Sequence, residues 1–481
     1  MKLVRAEQQL EPRPLTSAQA EVVAAASGSA RAICVVGGPG TGKTTTAVAA
    51  VVAQVQVGVP LSRLVVLTGS RSAAQHLRAR IVAALGRTQR GLQVTTVHGW
   101  CQQLLHRFED PEHPMPRLLS APEQEFRVRE LLVGRGPQSW PESLRPALGT
   151  RGFAREVRAI LARARQLGLD PADVAAAGRA AERPEWVAVA EFFNEYLDVL
   201  DAEGVIDYAE LVHRARLLLT DEQASAALPA CAGTIFIDEF EELDRGMIHL
   251  LADANRAGSK VVAFADPDTS VYGFRGADPR AVVDFADRFN DARLLRLTDN
   301  LRSSAAVDAA LASVAARLPY RGVDHRPVLA LAGASGLVSV QIAADDATQV
   351  QRVAELLRQA QLRDHIGWSE FAVLTRAGDK PVSTLARRLS AAGVPVQVAG
   401  DEVALVDELA VRHLLSVLNA ATRLAEGQGP DERQAARLLR TPLGGLDAVG
   451  LRRLGRELRS RAVAAEPDQP PAGSGRLIAD E

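Results

Sequence analysis

Residues 32–45 read Ala32-Ile33-Cys34-Val35-Val36-Gly37-Gly38-Pro39-Gly40-Thr41-Gly42-Lys43-Thr44-Thr45, and this stretch decides the fold. A short apolar, β-branched run meets a glycine-rich turn, and a Thr/Ala/Val-rich helix is expected to follow over 43–55. The segment 37–44 satisfies G-x-x-x-x-G-K-[ST] in the strand–turn–helix context that the pattern requires. Glycines let successive backbone N–H groups close around phosphates, and the following helix N-terminus adds its positive dipole end. Gly37, Gly38, Pro39, Gly40, Thr41, Gly42, Lys43, Thr44 and Thr45 are therefore the candidate nucleotide contacts. Lys43 is expected to reach the β/γ-phosphates and Thr44 to ligate Mg²⁺. A glycine-rich turn that holds no ligand is the purely structural alternative.

Outward from this stretch, apolar runs at 64–67 and 94–97 read as further buried strands, with a helix at 72–85 between them. Strands resume at 234–237 and 261–264. Short apolar strands alternating with helices predict a parallel, doubly wound α/β sheet. Between them, 108–211 carries apolar residues at three- and four-residue spacing and reads as a helical insertion. A second alternating segment is expected at 294–297, 338–342, 371–374 and 394–398. Helix is expected over 401–460, and the composition of 465–475 reads as a disordered tail. The expected domains are 1–107 with 212–278 (nucleotide-binding lobe), 108–211 (insertion), 279–400 (a partial second alternating lobe) and 401–481 (the start of a second insertion and the tail).

The chain has 481 residues, long enough for two or more cores. Only four of its 56 basic residues are lysines, and the formal charge is −2. No global basic field attracts nucleic acid, so any such contact must come from a local groove. Three widely spaced cysteines, Cys34, Cys101 and Cys231, without a C-x-x-C pair, fit reduced thiols in a cytoplasmic protein. No run approaches the roughly 18–20 apolar residues of a membrane span, so no membrane partner is expected.

The second half of the nucleotide site is Ile235-Phe236-Ile237-Asp238-Glu239. A strand that ends in two carboxylates suits a magnesium–nucleotide site, with Asp238 on the metal and Glu239 orienting or deprotonating the attacking water. An exposed acidic turn is the bland alternative.

Together these motifs head an ordered series that resembles the UvrD/Rep-like branch of superfamily 1 DNA helicases. Gln19, in Leu15-Thr16-Ser17-Ala18-Gln19, resembles the family's adenine-reading glutamine. Thr68-Gly69-Ser70-Arg71-Ser72-Ala73-Ala74 is similar to its segment that meets single-stranded DNA. Thr96-Val97-His98-Gly99-Trp100-Cys101 looks like Thr-Phe-His-Ser-Phe, and Asp207-Tyr208-Ala209-Glu210-Leu211 resembles Asp-Phe-x-Asp-Leu. The segment from Ala265 to Ala277 looks like Gly-Asp-x-Asp-Gln-Ser-Ile-Tyr-x-Phe-Arg-Gly-Ala, and Asn300-Leu301-Arg302-Ser303 resembles Asn-Tyr-Arg-Ser. Leu439 to Gly445, with Leu451-Arg452-Arg453-Leu454, looks more specifically like motor subunits of actinobacterial AdnAB/RecBCD-like helicase–nucleases.

The resemblance implies two RecA-like lobes with MgATP between them. Arg302 would act on the γ-phosphate as an arginine finger from the second lobe. It implies single-stranded or duplex-end DNA as a partner, and a second helicase–nuclease subunit. Non-specific single-strand binding needs stacking platforms and phosphate donors. The expected stacking aromatics are Trp100 and Phe274, and the expected backbone contacts are Arg71, Thr96, His98 and Arg275, with Tyr272 in the same motif.

Several working positions depart from the family pattern. The glutamine after Asp-Glu-Phe is Glu241, and the next aspartate is Glu242. The γ-phosphate-sensing glutamine is Thr269, whose side chain is shorter. The adenine-stacking tyrosine is Leu301 and a base-stacking phenylalanine is Gly69. Nothing after 401 resembles the family's last DNA motif or its second γ-phosphate arginine, so the chain is expected to end inside the second helical insertion. Two readings stand: an ATP-dependent helicase/translocase subunit, and a DNA-binding assembly subunit whose ATP site hydrolyses weakly. A P-loop ATPase unrelated to DNA is a third.

Overall fold

The computed structural model describes residues 14–86, 91–108, 115–273, 276–326, 329–330, 336–376, 379–398, 409–467 and 469–480. The chain divides into two compact units, Met1–Val338 and Ser339–Glu481. The strands of the first unit are β1 (Ala32–Gly37), β2 (Leu64–Thr68), β3 (Gln93–Thr96), β4 (Arg117–Leu118), β5 (Val205–Ile206), β6 (Thr234–Ile237), β7 (Lys260–Ala265), β8 (Ala292–Leu297), β9 (Asp299–Asn300) and β10 (Leu329–Ala330). Six of them form one all-parallel sheet in the order β3-β2-β6-β7-β1-β8. The short pairs β4–β5 and β9–β10 are also parallel.

The first-unit helices are α1 (Ser17–Ser27), α2 (Lys43–Gln56), α3 (Arg71–Leu85), α4 (Val97–Arg107), α5 (Ala121–Gly134), α6 (Arg151–Gln166), α7 (Pro171–Ala180), α8 (Pro184–Ala202), α9 (Tyr208–Leu218), α10 (Glu222–Cys231), α11 (Arg245–Arg256), α12 (Phe285–Arg288) and α13 (Ala305–Ala315). Strands β1, β2 and β6 are buried along their whole length, which parallel strands covered on both faces require. Their alternation sorts the core into two layers. Ile33, Val35, Val66, Phe236 and Phe264 pack with α1, α2 and α3. Cys34, Val36, Leu67, Ile237 and Ala263 pack with α4, α9 and α11. Helices α5 to α8 enclose a separate core around Trp140, Phe192, Phe193 and Tyr196. Asp207 joins that core to α9: its carboxylate accepts from Tyr196 Oη (2.9 Å), Gln124 Nε2 (2.8 Å) and the Glu210 N–H (2.8 Å).

The structure departs from the sequence expectations in three places. The run 294–297 does not open a second sheet but lies within β8, an edge strand of the first sheet, in register with β1 from Ala32↔Ala292 to Gly37↔Leu297. The segments 338–342, 371–374 and 394–398 carry no strand ladder among the described residues. Val340, Ile342 and Leu374 are 89%, 97% and 91% exposed. Doubly buried parallel strands need neighbours on both sides, and the described residues bring none to them. Just past the expected disordered stretch 465–475, overlapping it only at 474 and 475, Ser474–Asp480 is helical and packs on 448–465, with Ile478 against Gly455.

The second unit is helical in its described part: α14 (Asp346–Arg363), α15 (Asp379–Ala391), α16 (Leu409–Ala425), α17 (Glu432–Leu439), α18 (Ala448–Ala465) and α19 (Ser474–Asp480). A small core of Ala354, Leu389 and Val394 holds α14 to α15. No helix among the described residues is long and apolar enough to cross a membrane.

Candidate nucleotide and nucleic-acid site

Ligands of open parallel sheets bind beyond the carboxyl ends of the strands, and that edge gathers most of the expected residues. The turn after β1 holds Gly40 and Gly42 at φ +81° and +83°, a region open to glycine at little cost. A Cβ on Gly40 would lie 2.1 Å from Asn300 Oδ1, and one on Gly42 would lie 2.4 Å from Gln19 Nε2. Both neighbours thus lie where a side chain would be. Gln19 is buried; its Nε2 donates to Thr41 O (3.2 Å), and its Oε1 accepts from Thr16 N–H (3.1 Å). Leu301 N–H donates to Gly40 O (2.9 Å), while Asn300 Oδ1 accepts from the N–H groups of Arg302 and Ser303 (3.1 Å each). The 300–303 loop is therefore clamped onto the phosphate turn.

Lys43 Nζ donates to Gly37 O (2.7 Å) and Gly38 O (3.1 Å) and lies 3.5 Å from Asp266 Oδ2. Thr44 Oγ1 donates to Asp238 Oδ2 (2.7 Å). Thr45 is exposed, and its hydroxyl accepts from Arg80 Nη2 (2.9 Å). A hydroxyl and a carboxylate meeting beside a phosphate-type turn form a hard oxygen set that fits Mg²⁺. Burial raises the Asp238 carboxyl. Glu239 is raised by desolvation, then by the charges of Asp238 and Glu242. Glu239 also holds φ +61°, a left-handed conformation that costs a non-glycine residue about 1–2 kcal/mol. Such strain gathers where a side chain must be aimed.

The expected arginine from a second lobe needs correction. Arg302 lies in the first unit, three residues beyond the first residue of β9, and its side chain is exposed next to the clamped loop. The sequence reading ended the lobe at 278, whereas β8 carries the sheet on to Leu297.

A cavity of about 230 Å³ opens at the other half of the same edge, where β2 and β3 end. Thr68, Gly69, Thr96, His98, Tyr208 and Tyr272 are among its lining residues. Thr96 caps α4, accepting from Gly99 N–H (3.1 Å). His98 stands edge-on to Tyr208, centroids 4.9 Å apart at 81°. Burial holds its imidazole down at about 4, so at neutral pH it offers a neutral hydrogen bond. Arg71 is exposed at the first turn of α3. Phe274 and Arg275 lie outside the described residues.

Trp100 is not a stacking platform. It is 1% exposed and belongs to the core between the sheet and α9/α11. Val97, Trp100, Cys101 and Leu104 form the buried stripe of α4, which leaves His98 on another face of the helix. That i, i+3, i+4, i+7 spacing was a readable signal of core.

Between the two halves runs the turn 238–242. Asp238 bonds Thr44, a Cβ on Gly69 would lie 3.3 Å from Glu239 Oε2, and Glu242 accepts from the N–H groups of Val271 (2.7 Å) and Tyr272 (2.9 Å). Glu242 thus pins Tyr272 at the cavity wall, a role the sequence reading missed.

Glu241 is buried, and Thr269 Oγ1 lies 3.1 Å from its Oε1. Burial pushes the Glu241 carboxyl from 4.5 up to about 7. A carboxyl raised on folding keeps its proton longer in the folded state, so stability falls as pH rises from about 4.5 to about 7. Above that window the cost is about 3 kcal/mol. Glu241→Gln should therefore stabilise the first unit at pH 8.5 and hardly at all at pH 4.5. Urea unfolding at both values checks this; equal gains at the two would refute it. Asp244, pushed up to about 6 by burial, titrates in both proteins and cancels from the comparison.

The sheet, the phosphate turn and the strand-end carboxylates define a P-loop α/β protein of the RecA-like class. The family model of the UvrD/REP helicase N-terminal domain matches residues 15–290, and the chain belongs to that family. It is 25% identical over 434 residues to the ATP-dependent DNA helicase UvrD1 of Mycobacterium tuberculosis, covering 86% of this chain and 53% of that protein. DNA helicase II of Escherichia coli is 28% identical over 300 residues, 60% of this chain and 38% of that protein. ATP-dependent DNA helicase PcrA of Leuconostoc citreum is 23% identical over 465 residues, 93% and 57%. The chain spans about half the length of the UvrD1 and PcrA relatives.

Proposed function

We propose that this chain is an ATP-dependent DNA helicase or translocase subunit that acts on single-stranded DNA in repair or recombination. In this reading it works beside a second subunit of an AdnAB/RecBCD-like helicase–nuclease. One observation supports it most: the turn 238–242 touches the phosphate turn at Thr44 and the cavity wall at Tyr272, so nucleotide and DNA would share one lever.

Lys43 and the backbone N–H groups of the 37–45 turn bind the phosphates, and Gln19 meets the adenine. Thr44 and Asp238 hold Mg²⁺, which supplies charge neutralisation of the phosphates. Glu239 orients the attacking water. Arg302, carried by the loop clamped on Gly40, meets the γ-phosphate, and Thr269, bonded to Glu241 and Asp266 O, takes the γ-phosphate-sensing position. Arg71, Thr96, His98 and Tyr272 contact the single strand, together with Phe274 and Arg275. Without base-edge readers, binding is largely sequence-independent and weakens with salt. The nucleotide lobe comprises 1–107 and 212–297, interrupted by the helical insertion at 108–211.

A second reading rests on the contact between buried Glu241 and exposed Thr269, the positions where the family carries glutamines. It makes the chain a DNA-binding assembly subunit with a weakly hydrolysing site. Steady-state ATP hydrolysis with and without single-stranded oligonucleotide separates the two. The motor reading expects stimulation that is lost in Lys43→Ala. Nucleotide binding without any stimulation would leave only the second.

A further inference from the structure

The phosphate-binding lysine has a buried counter-ion whose other neighbours lead away from the nucleotide. Asp266, at the carboxyl end of β7, is buried; its Oδ2 faces Lys43 at 3.5 Å and has no hydrogen-bond partner. Its Oδ1 accepts from Asp268 N–H (3.2 Å) and lies 3.8 Å from Nε2 of His325. His325 is 2% exposed. Its Nε2 also lies 2.8 Å from Asp268 Oδ2, with no acceptor in hydrogen-bond alignment. Its Nδ1 faces Val323 O at 3.1 Å. Both ring nitrogens therefore face oxygen atoms, Nδ1 toward Val323 O and Nε2 toward the two carboxylates.

Three ligand atoms of Asp266, Asp268 and His325 lie within 4.8 Å of one another, a spacing that suits a metal. Lys43 at Asp266 and Arg326 at Asp268, with Nε at 2.8 Å, already answer both carboxylates. The cluster is a salt knot. Its far side reaches the chain beyond α13: Arg326 Nη2 donates to Leu318 O (3.4 Å) and Pro319 O (3.2 Å), just past the end of that helix. The N-terminal end of that helix, capped by Ser304, follows Arg302 by two residues.

We propose that His325 is a positioning residue that takes over Asp266 when Lys43 leaves it for a nucleotide phosphate, and so couples phosphate occupancy to the placement of α13 and Arg302. This rests on the nucleotide reading of the 37–44 turn. A buried carboxylate stripped of its cation is strongly unfavourable. Without His325, Asp266 keeps Lys43 and opposes nucleotide binding. With it, Nε2 of the His325 ring closes the 3.8 Å gap to Asp266 and draws the 321–326 segment, and through Arg326 the end of α13, toward the phosphate site.

Titration calorimetry of the full chain with MgADP and MgATP tests this in His325→Gln, His325→Lys, Asp266→Asn and the His325→Gln/Asp266→Asn pair. His325→Gln should weaken nucleotide binding about ten- to hundredfold, the range of one charge-assisted hydrogen bond. His325→Lys, which places a cation beside Asp266, should stay near wild type. Adding Asp266→Asn to His325→Gln should restore affinity, since no buried charge is left to strand. A role in packing alone predicts no such rescue. Unchanged affinity in His325→Gln, or a double variant no better than the single, overturns the proposal. Should His325→Gln unfold, Asp266→Asn decides: it frees Lys43 and must tighten binding, and weaker binding overturns the proposal. A wild-type chain that binds no nucleotide removes the nucleotide reading and this proposal together, whereas a binding wild type with indifferent His325 variants removes only the latter.

Discussion

Cutting Arg302 back to alanine should lower DNA-stimulated ATP hydrolysis by about 10³–10⁵-fold, the contribution of an arginine that meets developing γ-phosphate charge, while nucleotide affinity stays within about tenfold, since a contact made mainly in the transition state adds little to ground-state binding. The loop geometry makes this a clean test. The backbone of 300–303 is held by Leu301 N–H on Gly40 O and by Asn300 Oδ1, not by the guanidinium. Removing the side chain therefore leaves the clamp on the phosphate turn in place. Arg302→Lys should rescue little, because an ammonium cannot reproduce the planar fork of donors. Single-turnover hydrolysis and MgADP binding, measured side by side, decide it. Parallel losses in rate and affinity would make Arg302 a structural prop of the loop.

Trp100→Ala should cost the first unit about 3–5 kcal/mol, with no loss of single-strand affinity in the molecules that remain folded. Trp100 fills the layer between the sheet and α9/α11, and a cavity there cannot collapse without moving β-strands that are themselves fully buried. His98→Ala should do the reverse, weakening DNA binding with little change in stability, because His98 lines the cavity. Urea unfolding together with fluorescence anisotropy of a labelled oligonucleotide, below the unfolding transition, gives both numbers. A Trp100→Ala protein that folds normally yet releases DNA would return the tryptophan to the binding surface.

Features written into contiguous sequence could be read without a structure. The phosphate turn is local: glycines at 40 and 42 allow positive φ, and Lys43 and Thr44 follow at the start of α2 wherever the rest of the chain goes. Strands β1, β2 and β6 announced themselves because burial on both faces demands unbroken apolar runs. The Asp238-Glu239 pair at the end of β6 was legible for the same reason.

What lay beyond the sequence were relations between distant segments. Parallel pairing is non-local, so nothing in 292–297 said that it joins β1 and not a second sheet, nor that the loop carrying Arg302 is clamped to the phosphate turn within the first compact unit. Trp100 and His98 share one motif, and only the packed helix separated core from cavity, although the stripe at 97, 100, 101 and 104 carried the hint. The salt knot joins residues 43, 266, 268 and 326 through His325, which no spacing rule connects. Its members meet because β1 and β7 are neighbours in the sheet and the chain beyond α13 returns to their carboxyl ends. Side-chain chemistry was set residue by residue, whereas the choice of which charges share one buried space belonged to strand order.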